Sequence, residues 1–365
     1  MPPKPPTIRS LAALAGVSKA TVSLALRDNP RIRRSERERI QKLAAEAGYA
    51  PNALMAQLLA QLRSGKTSAY QSTLGLVYAT RTPADLKGIT TFREWFAACR
   101  QRASQCGYRM DEFALSEPGM SPERLVGILD ARNIQGLIVV GPFGQSIIPA
   151  EFDPVWRRSA TVVLGIRPVR PALSCAANDQ FSTVKQALWA LQDLGYRRPG
   201  LCIDPEVDAQ VEERFQGGFG VAQRTLPKKD RLPVFAYRTG DRAGFLQWLE
   251  GCRPDAIITL HHEIRGWVEA AGYRVPEDLG LAHLDRVPDL ADWAGTRQNN
   301  ESVGFAAIDM LIGQLHRNEF GIPPFQKCVF TNSTWVPGAT VRRLCSHPAP
   351  TAGSLRAAPD EAIVS

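Results

Sequence analysis

Residues 11–30 read LAALAGVSKATVSLALRDNP, two short apolar-periodic segments separated by a Gly-Val-Ser turn. Thr7 stands where it can cap a first helix, and Ile8, Leu11, Ala12 and Ala15 follow the i, i+3, i+4, i+7 spacing of one helical face before Gly16 ends it. Ser18 is the next N-cap candidate, and Val22 and Leu26 mark the inner face of the helix it starts. A third helix is predicted after "RIRR": Ser35 and Glu38 have capping-box spacing, Ile40, Leu43, Ala44 and Ala47 form an apolar stripe, and Gly48 closes it. Three short helices with a glycine turn between the first two make a helix-turn-helix unit, which offers the start of its second helix to a DNA major groove.

Charge points the same way. Residues 1–66 hold 12 Lys and Arg against 4 Asp and Glu, whereas the whole 365-residue chain has 44 against 36, so the remaining 299 residues are neutral. A basic module on a balanced body is the asymmetry expected when one module meets a polyanion; the alternative is a solvated basic face. The length allows two or three domains, and 44% apolar content is ordinary for a soluble protein. No apolar run reaches the ~18 residues of a membrane span, and "MPPKPPTIRS" has no apolar h-region. A cytoplasmic protein with no membrane partner is expected. Seven cysteines (Cys99, Cys106, Cys175, Cys202, Cys252, Cys328, Cys345) contain no C-x-x-C pair, so neither a disulfide framework nor a zinc site is predicted.

From residue 74 strands and helices alternate. "LGLVYA", "YRMDEFAL", "IQGLIVV" and "TVVLGI" read as strands, with helices at 90–106, 121–132 and 149–158. A second series has a helix at 180–194, strands "RPGLCI", "LPVFAY", "DAIITL" and "LGLAHL", and helices at 211–224, 241–251 and 262–271. Such alternation implies right-handed βαβ units and parallel sheets, here two α/β lobes with a ligand cleft between them. An enzymatic reading finds no support: the sequence has no G-x-S-x-G, Walker-type loop or dinucleotide G-x-G-x-x-G after a strand. His261 and His262, adjacent at a strand end, diverge and lack metal-ligand spacing. No catalytic residue, metal or cofactor is predicted.

"TIRSLAALAGVSKATVSLAL" with "ERIQKLAAEAGYAPNAL" resembles the head of the LacI/GalR family of bacterial transcription regulators. The resemblance implies a small all-α helix-turn-helix domain followed by an α/β, two-lobed, periplasmic-binding-protein-like domain with parallel sheets. It implies a homodimer that binds a double-stranded, pseudo-palindromic DNA operator, most simply as a repressor, under the control of a small-molecule effector such as a sugar. The expected organisation is 1–50 head, 51–73 hinge helix and linker, 74–345 effector domain, and 346–365 a disordered Pro/Ala-rich tail. Interlobe crossings are placed near 168–171, 295–298 and 322–326, giving an N-lobe of 74–168 and 298–322 and a C-lobe of 171–295 and 326–345. "NSTWVPGATVRR" is similar to the family's closing strand.

The same resemblance carries roles to matching positions. Thr7, Ser18, Thr21 and Ser23 would meet the DNA backbone, and Lys19 and Ala20 base edges. Leu24 stands where the family usually has Arg, and Arg27, where Asn is common, could restore a phosphate contact. Asn52 opens the hinge segment, in which Leu58 falls on the minor-groove wedge position. That helix pattern runs a turn longer than usual, so Leu62 competes with Leu58, and Leu54, Leu58, Leu59 and Leu62 could equally form a dimer seam. In the cleft, "ERFQGGF" marks Arg214 as a grip for ligand hydroxyls or a carboxylate, "LAHLD" marks Asp285 as an acceptor, and "ANDQF" brings in Asp179. His262 is a further candidate, because "TLHHEIRGW" replaces the family's Asn-Asp pair with histidines. A cytoplasmic solute sensor or an α/β enzyme without DNA binding is the competing reading, distinguished by the basic head and by turnover.

Overall fold

The computed structural model describes residues 8–26, 32–47, 72–79, 83–141 and 147–344. It divides into two units, Met1–Tyr70 and Gln71–Ser365. Among the described residues no helix is long and apolar enough to cross a membrane.

The first unit contains α1 (Ile8–Ala15), α2 (Lys19–Ala25) and α3 (Arg34–Glu46). Leu11, Ala12, Ala15, Val22, Ala25, Ile40 and Ala44 are buried against one another, so the predicted inner faces meet; Leu26 packs partly buried beside them. The expected capping box on α3 does not form. The helix starts two residues earlier than the predicted Ser35 cap implies, at Arg34 with Arg33 as N-cap, and Glu38 and Glu36 are drawn instead into ion pairs with Arg34 and Arg39 at 2.8 and 2.7 Å.

The second unit has two six-stranded sheets. The N-lobe sheet runs β11 (Cys328–Thr331), β5 (Ser174–Asn178), β4 (Ala160–Leu164), β3 (Gly136–Val140), β1 (Ser72–Tyr78), β2 (Tyr108–Ala114). The C-lobe sheet runs β12 (Thr334–Val336), β10 (Ala294–Arg297), β9 (Gly280–His283), β8 (Ala256–Thr259), β6 (Pro199–Ile203), β7 (Phe235–Ala236). Adjacent strands pair in parallel except β12, which is antiparallel to β10. Central strands are buried on both faces, as parallel sheets require. In the N-lobe, α4 (Pro83–Lys87), α5 (Thr90–Gln105), α6 (Pro122–Ala131) and the short α7 (Asp153–Trp156) follow in chain order. The C-lobe adds α8 (Gln180–Asp193), α9 (Pro205–Gln210), α10 (Arg214–Ala222), α11 (Arg242–Cys252) and α12 (Ile264–Ala270). Then α13 (Asn300–His316) returns to the N-lobe, where its Val303, Ala307, Ile308 and Leu311 join Trp95 and Phe96 of α5 against Leu76 and Ile138.

The crossings differ from expectation. The chain leaves the N-lobe sheet at Asn178, not near 168–171, because the small-residue segment Ser174–Asn178 forms a strand beside β4. It lacks the β-branched and aromatic residues that advertise a strand. The second crossing lies between Arg297 and Asn300, beside the expected one. The third lies between Thr331 and Thr334 instead of 322–326, since Cys328–Thr331 pairs with β5 in the N-lobe. The predicted helix at 211–224 begins only at Arg214, after Glu212 and Glu213 adopt left-handed backbone at φ 59° and 55°. The predicted strand "LPVFAY" shrinks to Phe235–Ala236, where Pro233 has no N–H to give a ladder.

Candidate nucleic-acid interface and effector cleft

In the head, Ser18 has extended backbone (φ −69°, ψ 154°) and its Oγ accepts the Thr21 N–H at 3.1 Å, capping α2 as its sequence predicts. The Ser18 and Thr21 hydroxyls also pair at 2.9 Å. Lys19, the first residue of α2, is exposed, while Thr21, Ser23 and Leu24 are half-buried. Ala20 follows Lys19 in the helix. Two supports were invisible in the sequence. From α3, Arg39 donates to Ala15 C=O at 2.9 Å and Gln41 to Ala25 C=O at 3.0 Å. These bonds satisfy carbonyls at the ends of α1 and α2 that the helices cannot satisfy themselves, and so hold the pair at a set angle. Thr7, Arg27, Asn52, Leu58 and Leu62 lie outside the described residues, as do most of the expected hinge and the whole 346–365 tail.

In the second unit, Asp179 and Arg214 come together. Asp179 caps α8 by accepting the Ser182 N–H at 3.3 Å, and its Oδ1 accepts from Arg214 Nη2 at 2.5 Å. Burial pushes this carboxyl up, but the bonds from Ser182 and Arg214 outweigh it and hold it below the ordinary carboxylate value. The Arg214 guanidinium lies 4.4 Å from the Phe330 ring centre, and its buried Nε has no protein acceptor among the described residues. Gly165, Arg167, Gln180 and Phe330 line the same recess.

Arg214 is aimed by its approach. Asp208, fully buried, accepts the N–H groups of Phe215 at 2.9 Å and Gln216 at 3.2 Å, anchoring the first turn of α10. The two left-handed residues before it, uncommon for side-chain-bearing residues, send Glu212 to an ion pair with Arg167 of the N-lobe. "GGF" has a packing reason: a Cβ on Gly218 would fall 2.4 Å from Phe181 C=O of α8, whereas at Gly220 it would meet nothing within 4 Å.

Asp285 lies at the end of β9 and is only 9% exposed. Thr91 Oγ1, from the N-lobe, donates to its Oδ2 at 2.7 Å, and its Oδ1 is buried with no donor among the described residues. Burial pushes the carboxyl up to about 6, with Thr91 opposing and Glu94 adding to the rise. His283 beside it is buried, accepts the Asp285 N–H at 3.1 Å, and is pushed down to about 4 by burial. The histidine pair splits. His261 turns inward, accepting the Asp204 N–H at 3.2 Å and stacking on Tyr237 at 3.6 Å between ring centres, and burial lowers its pKa. His262, the residue singled out from the sequence, has a side chain 72% exposed, with Nδ1 3.9 Å from Glu263.

A residue the motifs did not reveal ties the crossings together. Asn178, 1% exposed, donates to Gln298 C=O (3.2 Å), Thr331 C=O (3.1 Å) and Ser333 Oγ (2.9 Å), and accepts from Thr183 Oγ1 at 2.8 Å. One carboxamide thus touches all three crossings. Its neighbour Asp179 drew notice only through a family motif, and nothing local marks Asn178.

Comparison with known proteins agrees with this architecture. The family model for bacterial regulatory proteins, lacI family, matches residues 7–52, and that for the periplasmic binding protein-like domain matches residues 189–341. The HTH-type transcriptional regulator PtxS of Pseudomonas putida is 28% identical over 326 residues, covering 85% of this chain and 89% of that protein. The HTH-type transcriptional repressor CytR of Escherichia coli is 22% identical over 331 residues, covering 86% and 91%. Among solved structures, the CelR–cellobiose complex superposes with a TM-score of 0.56 at 18% identity, covering 92% and 99%. The Lac repressor dimer bound to operator and the anti-inducer ONPF gives 0.55 at 19%, covering 93% and 100%. These two share the fold. With a three-helix head that matches the lacI family model, a two-sheet parallel body that matches the periplasmic binding protein-like domain, and transcriptional regulators as relatives across most of its length, the chain is similar throughout to bacterial regulatory proteins of the lacI type.

Proposed function

We propose that this protein is a homodimeric, cytoplasmic transcriptional repressor that reads a pseudo-palindromic operator with its N-terminal head and answers to a small molecule bound between its lobes. The observation that carries the reading is the start of α2: Ser18 caps the helix and Lys19 stands exposed at its first position, in a segment that holds all of the net charge. In this reading residues 1–50 are the head, 51–73 the hinge and linker, 74–345 the effector and dimerisation domain, and 346–365 a tail. Ser18, Thr21 and Ser23, with Thr7 and Arg27, contact phosphates; Lys19 and Ala20 face bases; Asn52 and Leu58 belong to the minor-groove hinge. The PtxS and CytR relatives are regulators, not enzymes, and the chain acts without catalysis.

The effector contacts are Arg214, whose buried Nε awaits an acceptor, with Asp179, Asp285 and His262. A sugar or related metabolite is the class suggested by the cellobiose-bound neighbour. Coupling is reciprocal: an effector that weakens operator binding binds less tightly to the operator-bound protein. The test is a gel-shift on DNA upstream of the protein's own gene, with and without sugars and sugar acids. Specific retardation that weakens steeply with salt is expected, and binding that survives deletion of residues 1–66 would overturn the proposal.

A further inference from the structure

The three crossings are not all that joins the lobes. The first turn of α5 reaches from the N-lobe to the loop after β9: Thr91 Oγ1 donates to Asp285 Oδ2 at 2.7 Å and Thr90 Oγ1 to Asp289 Oδ2 at 2.9 Å. Arg93 Nη2 donates to Thr90 Oγ1 at 2.7 Å and lies 3.9 Å from Asp289. Behind this turn, Trp95 Nε1 donates to Asn300 Oδ1 at 2.9 Å and Asn300 Nδ2 to Glu94 Oε2 at 2.8 Å, fastening α5 to the residue that follows the second crossing. On the other side Gln298 Nε2 donates to Leu284 C=O at 3.1 Å, and His283 fixes the loop by accepting the Asp285 N–H. The contact therefore has a stiff frame on both lobes.

Its parts are unequal. Arg93 and Asp289 have side chains 55% and 71% exposed, and Arg167 and Glu212, a further interlobe ion pair, 46% and 32%; exposed pairs of this kind hold little. The Thr91–Asp285 bond is sheltered, and hydrogen bonds to a charged acceptor are the stronger sort.

We propose that the Thr90–Thr91 turn is an internal latch that holds the lobes closed, with the Thr91 hydroxyl taking the oxygen of Asp285 that a ligand hydroxyl would otherwise take. A ligand that seeks Asp285 then competes with the latch, so binding there exchanges one interlobe bond for another. The regulatory meaning rests on the effector-cleft reading. The latch itself does not, because closure is a property of the chain's own side chains.

The experiment is a single-molecule fluorescence transfer measurement on the full chain, without DNA or added ligand. Dyes are placed by bio-orthogonal chemistry at the exposed positions of Glu117 and Arg238. These follow β2 and β7, the strands at the ends of the two sheets farthest from β11 and β12, where opening moves the lips most. Thr91→Val should raise the ratio of open to closed molecules about tenfold or more, the effect of losing one hydrogen bond to a charged acceptor. Thr91→Ala should do the same, and Thr91→Ser, which keeps the hydroxyl, should match the parent. A parental distance distribution in either hydroxyl-free variant overturns the latch. Since no DNA is present, that result would leave the operator reading standing, and a failed gel-shift would leave the latch standing.

Discussion

Asn178→Ala tests the knot that joins the three crossings. Asn178 is buried, and its amide serves Gln298 C=O, Thr331 C=O and Ser333 Oγ. After truncation Thr331 C=O keeps the Asp179 N–H at 2.9 Å, and Thr183 Oγ1 keeps Asp179 C=O and Ser333 at 2.8 and 2.6 Å. Gln298 C=O loses its donor in a buried site. One orphaned buried carbonyl costs about 1–3 kcal/mol and each lost net hydrogen bond about 0.5–1.5, so a total of about 2–4 kcal/mol is expected. That is a large share of the roughly 5–15 kcal/mol that holds a domain folded. Urea unfolding of the full chain, followed by tryptophan fluorescence, reads it. Asn178→Asp sharpens the test, because a carboxylate has no N–H to offer two carbonyls. Burial against them raises its folded pKa above the unfolded value of about 3.9, so the penalty is full above the folded pKa and fades as the pH falls from there toward 3.9. A loss below about 0.5 kcal/mol for Asn178→Ala, the size of an ordinary surface change, would refute the reasoning, as would an Asn178→Asp penalty indifferent to pH.

Four further outcomes are expected. Ser18→Ala should cost the head about 1 kcal/mol by removing the α2 cap, seen in thermal melts, while Ser18→Asp keeps the cap but places a like charge against phosphate and weakens DNA binding. Lys19→Ala should relax operator preference at one base pair by about 1–3 kcal/mol; a uniform loss across sequences with a shallower salt slope would make Lys19 a phosphate contact instead. The Asp285 carboxyl, raised from 3.8 to about 6, leaves the folded state holding an extra proton between those values, so its contribution improves as the pH falls from 6 to 4. Asp285→Asn should therefore be more stable than the parent at pH 7, by at most about 3 kcal/mol, with the difference gone by pH 4 in urea titrations. Gly218→Ala, whose Cβ would meet Phe181 C=O at 2.4 Å, should lose about 1–3 kcal/mol, whereas Gly220→Ala, in open space within the same helix, should gain about 0.5–1 kcal/mol by denaturation midpoint.

Local order was readable from the sequence by itself. The head's apolar spacing, the Ser18 cap and the alternation of strand and helix are written within a turn or two of chain, because side-chain periodicity and capping act over three or four residues. Arg214 and Asp179 were singled out only by the family resemblance of two short motifs, and their pairing at 2.5 Å was not legible there. The tertiary structure alone decided how distant segments close on one another: Thr91 on Asp285 across 194 residues, Asn178 on Gln298 across 120. It also decided that "SCAAN" becomes a strand, since its neighbours supply the hydrogen bonds that its composition does not advertise, and that His261 turns inward while His262 faces solvent. Burial and pairing are properties of what packs against a residue, and no stretch of sequence contains its own neighbours.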